Sequence, residues 1–225
     1  MKSVPGMSLL ALFMAGNAMA SPHQATFSSD RLRTSIFDDG AAQYTTPAPP
    51  PPGMSVIFNN IGKKYPNGEY FCCDGLTVAG PDSYLGQETW PAIAFTPATD
   101  VTVKVVDAGV GYDNGGPNDV VISIAADTGG LPGTVLGSTH VTGLGDFGDC
   151  CKLARAKFTG VKLSAGQQYW VIVGTDDQDT ATVAAWSFNS TEQMQTVRFA
   201  ENYGSGWQLI NATARPAPSF AVYGK

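Results

Sequence analysis

The chain consists of short stretches in which hydrophobic and polar residues alternate. Residues 101–105 read Val-Thr-Val-Lys-Val, and residues 120–125 repeat the same period of two. This period is that of a β-strand with one buried face. Residues 169–173 are apolar without interruption, which indicates a central strand buried on both faces. The pattern predicts further strands at 55–59, 92–96, 135–141, 153–159, 184–188, 197–200 and 220–223.

Turn-forming residues separate these strands at intervals of 8–15 residues, with the densest turn signal at residues 127–133, Asp-Thr-Gly-Gly-Leu-Pro-Gly. No stretch carries a period of 3.6 over three turns. The acidic residues are 15 Asp and 4 Glu, and Asp favours turns whereas Glu favours helices. We therefore predict an all-β fold, an antiparallel β-sandwich of jelly-roll type.

The N-terminus has the features of a signal peptide. Lys2 precedes a short apolar run at residues 7–15, and Ala18-Met19-Ala20 fits a cleavage site after Ala20. The run is too short for a membrane anchor, since a bilayer span needs about 20 residues. We expect a secreted protein, periplasmic or extracellular, with a signal peptide at 1–20 and no transmembrane segment in the mature chain.

Residues 21–53 lack periodicity and end in a run of prolines, which predicts a linker or a disordered mature N-terminus. The folded domain is then 54–225. The full chain of 225 residues has a net charge of −6 and only 14% charged residues. An acidic chain of this kind lacks the basic face that nucleic acid requires, so we expect no nucleic-acid partner.

The four cysteines form two adjacent pairs, Cys72-Cys73 and Cys150-Cys151. An even number in an exported protein indicates disulfides. Two arrangements cross-link the pairs, and a third makes two vicinal bridges, which close small strained rings. We favour cross-linking, with both pairs placed in Gly/Asp-rich loops at 69–75 and 145–149. A zinc site of four cysteines is the alternative, although adjacent cysteines chelate one metal poorly.

Several segments in a fixed order carry a family resemblance. They are 58–62, 70–80 (Tyr-Phe-Cys-Cys-Asp-Gly-Leu-Thr-Val-Ala-Gly), 94–97, 127–136, 147–151, 163–171 and 185–189. The ordered set spans about 56–224 and resembles the bacterial exported choice-of-anchor domains, the R type in particular. The resemblance implies a secreted β-sandwich module of unassigned function. It supplies no catalytic residues.

Sequence motifs for catalysis are scarce. The two histidines are His23, in the N-terminal segment, and His140, on a predicted strand where we expect a half-exposed structural role. Neither G-x-S-x-G nor H-E-x-x-H occurs. We therefore expect a non-catalytic extracellular binding or matrix module, and whether it is an enzyme stays open. The alternatives are an extracellular hydrolase that uses paired carboxylates and a purely structural matrix protein.

Two groups of residues are candidates for ligand binding. Asp176, Asp177 and Asp179 crowd one loop, where they form either a Ca²⁺ site or a solvated acidic loop. A weaker acidic candidate surrounds residues 109–118 and comprises Asp107, Asp113 and Asp119.

The second group is aromatic. Trp170 and Trp186 lie on predicted strands and are expected in the core. Flat aromatic faces in loops suit sugar rings, so we expect an extracellular polysaccharide as partner. The candidate platform residues, which lie in loop-like contexts, are Tyr84, Trp90, Tyr112, Tyr203 and Trp207.

Overall fold

A computed structural model describes residues 25–27, 33–36, 50–61, 70–149, 152–189, 198–210 and 217–225, with the backbone alone for the first two segments and Cys72. These residues form strands and no helix. The strands are β1 Ala25–Phe27, β2 Arg33–Ile36, β3 Ser55–Asn59, β4 Tyr70–Ala79, β5 Trp90–Phe95, β6 Val101–Ala108, β7 Val110–Asn114, β8 Asp119–Thr128, β9 Leu131–Thr142, β10 Gly145–Asp146, β11 Ala154–Leu163, β12 Tyr169–Gly174, β13 Val183–Asn189, β14 Phe199–Asn202, β15 Trp207–Ile210 and β16 Phe220–Gly224.

The strands pair in three sheets. Sheet A has the order β1-β2-β4-β13-β7-β10, sheet B the order β11-β6-β16-β3, and sheet C the order β15-β14-β5-β12-β8-β9. Every described pairing is antiparallel except that of β10 with β7, which is parallel. The predicted all-β, antiparallel fold is therefore confirmed. A helix with the length and apolarity needed to cross a membrane is absent from the described segments.

All three sheets contribute to one large hydrophobic core. In this core the buried Phe220 ring meets the edge of Trp186 at 5.8 Å and stacks on the partly buried Phe58 at 4.6 Å, both measured between ring centroids. The Trp186 Nε1–H donates to the carbonyl of Ser219 at 2.8 Å, so the indole is buried without losing its hydrogen bond. Trp170 is also fully buried, in a smaller cluster on the opposite face of sheet C. Both tryptophans are in the core as predicted.

The strands with clear alternation form where the sequence predicts them. The loop predicted at residues 69–75 is wrong, because strand β4 covers most of that segment. Cys72 and Cys73 lie within this strand rather than in a loop. Asp74 and Gly75 resemble a turn in the sequence. Gly75 in fact lies so close to β13 that a Cβ atom there would be 2.4 Å from the carbonyl oxygen of Trp186. The glycine is thus required by the strand pairing.

Sequence reasoning also missed strands inside other segments. Trp90, Tyr112 and Trp207 lie on β5, β7 and β15, although loop-like contexts were predicted for them. The short strands β1 and β2 lie inside the predicted linker 21–53, and β2 pairs with β4. The predicted signal peptide, with its cleavage near Ala20, lies outside the described residues.

An ion pair between a buried carboxylate and a partly exposed arginine joins β6 to β11 in sheet B. Asp107 is 1% exposed, and Arg155 lies directly opposite it. The guanidinium donates from Nε and from Nη2 to the two carboxylate oxygens, each at 2.7 Å. These hydrogen bonds raise the pKa of Arg155 above its usual value. A planar guanidinium is well suited to this bidentate contact.

A second carboxylate, that of Asp127, is held by neutral donors. Its oxygens accept from Gln168 Nε2 at 2.6 Å, Trp170 Nε1 at 2.8 Å and the Gly130 N–H at 3.0 Å. Burial alone would raise the pKa of Asp127, but these hydrogen bonds and the charge of Arg198 lower it. The ionised carboxylate thus holds the β8–β9 turn against the Trp170 cluster.

We predict that Arg155→Ala destabilises the fold, because it leaves the Asp107 carboxylate buried without its cation. The expected loss in the free energy of unfolding is about 2–3 kcal/mol in a urea titration at pH 7. The matched control is Lys157→Ala, which removes a positive charge from the same exposed face of β11 and should change stability by less than about 0.5 kcal/mol. Equal losses in the two variants would contradict this role for the pair.

A candidate functional site at one end of sheet C

Most of the chemically distinctive side chains lie at one end of sheet C. Because neighbouring strands run antiparallel, the start of one strand lies beside the end of the next. We call this end the Trp90 rim. The strand ends that form it are the starts of β15, β5 and β8 at Trp207, Trp90 and Asp119, and the ends of β14, β12 and β9 at Asn202, Gly174 and Thr142.

Three of the five predicted aromatic residues meet at the Trp90 rim. Trp90 lies opposite Asn202 across the β5–β14 pairing, and Trp207 lies opposite the same Asn202 across the β14–β15 pairing. Tyr203 follows Asn202 in the chain. Both tryptophans are partly buried and pack against the Trp170 cluster. The two indoles therefore flank one strand on the face turned away from the main core.

The Trp90 ring is held in place by its neighbours. It packs over Gly174, where a Cβ atom would lie 2.8 Å from the indole carbons. Its Nε1–H donates to Thr175 Oγ1 at 3.1 Å. The Tyr203 hydroxyl donates to the carboxylate of the fully buried Glu201. These contacts orient the aromatic rings before any ligand arrives, which lowers the entropy cost of binding.

The other two predicted aromatics lie elsewhere. Tyr84 is 56% exposed, and its hydroxyl donates to Asp113 Oδ2 at 2.9 Å. Burial and the charge of Asp113 raise the pKa of Tyr84 above its usual value. Tyr112 lies on β7 in sheet A and donates to the Gly115 carbonyl at 2.8 Å. The structure therefore does not join Tyr84 and Tyr112 to the Trp90 rim.

Acidic residues and His140 form a cluster on the same rim. Asp119 lies opposite Thr142, and Val121 lies opposite His140. Asp119 and His140 are consequently diagonal neighbours on one face of the β8–β9 pair, within reach of each other. The distance from His140 Nδ1 to Asp119 Oδ2 is 3.9 Å.

The loop after β12 brings a third member to this pair. β12 ends beside β8, with Gly174 opposite Val121. The loop then folds on itself, because Asp179 Oδ1 accepts from the Asp176 N–H and Asp176 Oδ1 accepts from the Gln178 N–H at 2.8 Å. Potential ligand atoms of Asp119, His140 and Asp179 lie within 4.8 Å of one another.

Burial and neighbouring charges shift the pKa values of this cluster in different directions. Asp179 is fully buried, and burial together with the charges of Asp176 and Asp119 raises its pKa to about 6. The hydrogen bond to Asp176 raises the pKa of His140. Burial would raise the pKa of Asp176, but hydrogen bonds from Gln178 and His140 lower it. A positive charge beside Asp179 would offset its repulsion by Asp176 and Asp119.

The structure brings some of the predicted metal ligands together and separates others. Asp176 and Asp179 enter the cluster, whereas Asp177 is exposed. The weaker predicted group is divided, because Asp119 joins the cluster while Asp107 pairs with Arg155 and Asp113 with Tyr84. His140 is half-exposed as predicted, but its contact with the acidic loop was not expected. The period of two places both Asp119 and His140 on strands, yet only the β8–β9 register shows that they meet.

The predicted disulfides involve residues outside the described part of the chain, namely Cys150 and Cys151, and the side chain of Cys72. Their surroundings are described. Cys73 is buried in a small cluster that includes Phe147, with Leu153 packed against it. The Tyr70 hydroxyl donates to the Lys152 carbonyl at 3.1 Å. The segments on both sides of Cys150-Cys151 therefore contact the start of β4.

Comparison of the chain with protein-family models and with curated proteins gave no match. The resemblance to the choice-of-anchor domains stays a prediction that rests on the ordered segments of the sequence. The geometry of the Trp90 rim therefore carries the functional proposals.

We predict that Cys72 and Cys73 are cross-linked to Cys150 and Cys151, because the neighbouring segments are already in contact and vicinal bridges are strained. Non-reducing proteolysis and mass spectrometry of the exported protein should give a peptide from β4 joined to a peptide from the segment before β11. Two separate peptides, each with its own vicinal bridge, would contradict this connectivity. Unmodified thiols in both peptides would equally do so.

Proposed function

We propose that the protein is a secreted, non-catalytic binding module of the choice-of-anchor type, with a jelly-roll sandwich, and that it binds polysaccharide at the Trp90 rim. The observation that carries this proposal is the placement of Trp90 and Trp207 on either side of Asn202. The signal peptide predicted from the sequence and the family resemblance support the extracellular setting. The five candidate aromatics are thereby narrowed to Trp90, Tyr203 and Trp207.

The chemistry of the rim suits a sugar. Aromatic faces bind the apolar C–H surface of a pyranose ring, and polar groups beside them bind its hydroxyls. Asn202 lies between the two tryptophans, and its side-chain NH₂ group can donate hydrogen bonds to sugar hydroxyls. Its Oδ1 accepts from the Gly204 and Gly206 N–H groups at 2.9 and 3.0 Å. These bonds hold the β14–β15 turn and fix the position of the amide.

The carboxyl groups beside this rim favour binding over hydrolysis. Glu201 is fully buried and accepts from Tyr203. Burial raises the pKa of Glu88 above its usual value, and a hydrogen bond from the Gly204 backbone offsets only part of this shift. A glycoside hydrolase needs both carboxyl groups in contact with the sugar. Burial of Glu201 prevents Glu88 and Glu201, the carboxyl groups next to the aromatic residues, from acting as such a pair, which supports a binding module over the alternative hydrolase.

We predict that the protein binds at least one polysaccharide on a glycan array and that Trp207→Ala and Trp90→Ala each weaken binding by about tenfold or more, because each removes an aromatic face. Leu209→Ala is the matched control. Leu209 is a 43% exposed apolar residue on β15, two positions from Trp207, and its loss should leave binding unchanged.

Other outcomes distinguish the remaining functions. Absence of binding to every glycan would overturn the carbohydrate proposal and favour a structural matrix protein. Release of reducing sugar from a bound polysaccharide, abolished by Glu88→Gln, would favour the hydrolase. Equal weakening in the Leu209 control would show that the loss is not specific to the aromatic faces.

A further inference from the structure

We propose that Asp119, His140 and Asp179 bind one divalent transition-metal ion, with Zn²⁺ as the representative probe. The site lies on the same rim of sheet C as the tryptophans but uses none of their atoms, so it is independent of sugar binding. The ligand atoms of the three residues lie within 4.8 Å of one another. Ligand atoms of a tetrahedral Zn²⁺ ion, each about 2 Å from the metal, are about 3.3 Å apart, so side-chain movements of about 1 Å would bring all three into contact with one ion.

Two buried carboxylate oxygens are the second observation that supports a metal ion at this site. Asp179 Oδ2 and Asp119 Oδ1 are inaccessible to solvent and have no hydrogen-bond partner among the residues that the structure describes. Asp179 is fully buried and its other oxygen is already bonded to the Asp176 N–H. A buried carboxylate oxygen without a donor is costly, and a cation is the group that relieves two such carboxylates together.

The orientation of the His140 ring is the third observation that supports a metal ion at this site. Its Nε2 is hydrogen-bonded to Asp176 Oδ2, and its Nδ1 is the nitrogen near Asp119. In the neutral ring, donation from Nε2–H leaves the Nδ1 lone pair available to a metal. A carboxylate that holds the second ring nitrogen is the usual companion of a metal-binding histidine. We assign Asp176 this positioning role, with Asp119, His140 and Asp179 as the ligands.

The donor set determines the class of metal. Ca²⁺ takes six to eight oxygen ligands, whereas imidazole nitrogen favours zinc and other first-row transition metals. Asp177, which would add another oxygen, is exposed. One nitrogen and two carboxylates, with a position left for water, match the mixed ligands of a Zn²⁺ site. The proposal thus differs from both interpretations of the acidic loop by itself, a Ca²⁺ site and a solvated loop.

The test is isothermal titration of the full, thiol-alkylated chain with Zn²⁺ and, separately, with Ca²⁺. Alkylation removes zinc binding by any reduced cysteines. We expect one Zn²⁺ site that excess Ca²⁺ does not displace. His140→Gln and Asp179→Asn should each weaken Zn²⁺ binding by about tenfold or more. Asp177→Asn is the control, because it makes the same charge change in the same loop and should leave the affinity unchanged.

Thermal unfolding gives a second readout, since a metal that binds only the folded state raises the midpoint temperature. Zn²⁺ should raise the midpoint of the parent protein and of Asp177→Asn, but not that of His140→Gln. His140 is half-exposed, so this variant decides the question even if Asp179→Asn does not fold. Zinc binding that survives both ligand substitutions, equal weakening in Asp177→Asn, or absence of zinc binding would each overturn the proposal. So would Ca²⁺ affinity equal to that for Zn²⁺.

Discussion

A carboxylate that folding removes from water must receive a hydrogen-bond donor, a cation or a proton, and the organisation of this molecule depends on how that requirement is met. Asp107 receives the guanidinium of Arg155, which locks two strands of sheet B. Asp127 receives three neutral donors, which hold the β8–β9 turn against Trp170. Asp119 and Asp179 each bury an oxygen for which the described residues offer no donor, and the proposed metal ion completes the same pattern.

The antiparallel pairing of sheet C explains why the candidate chemistry is concentrated at one end. Inward positions of its strands fill the common core, while the opposite face carries small residues and Trp170. At the strand ends side chains are only partly covered by these two clusters, and Trp90, Trp207 and the acidic cluster all lie there. Thr175 links the two halves of the rim, because it bonds Trp90 and begins the loop that carries Asp179. A ligand at the aromatic residues would therefore lie on the same rim as the proposed metal ion.

Local alternation predicted most of the strands, because one buried face leaves a period of two in the sequence. It failed at β4, where Gly75 serves close strand contact rather than a turn. The acidic loop was recognised and Asp119 was named in a separate, weaker group, yet their contact with each other and with His140 was not predicted, since these residues meet only through the β8–β9 register and the adjacent end of β12. Tertiary pairing of this kind leaves no short-range signal. The five aromatic candidates were named from their side-chain chemistry, and only the pairing of β5, β14 and β15 separates Trp90, Tyr203 and Trp207 from the other two.

Anomalous X-ray diffraction from crystals of the full chain grown with Zn²⁺ tests most directly the claim that a cation satisfies the buried carboxylates. Data collected on both sides of the zinc absorption edge locate the ion independently of the protein coordinates. We predict one strong anomalous peak within bonding distance of Asp119, His140 Nδ1 and Asp179, about 2 Å from each ligand atom. Zinc located only at other residues, with the Asp119–Asp179 carboxylates left without a cation, would contradict the account.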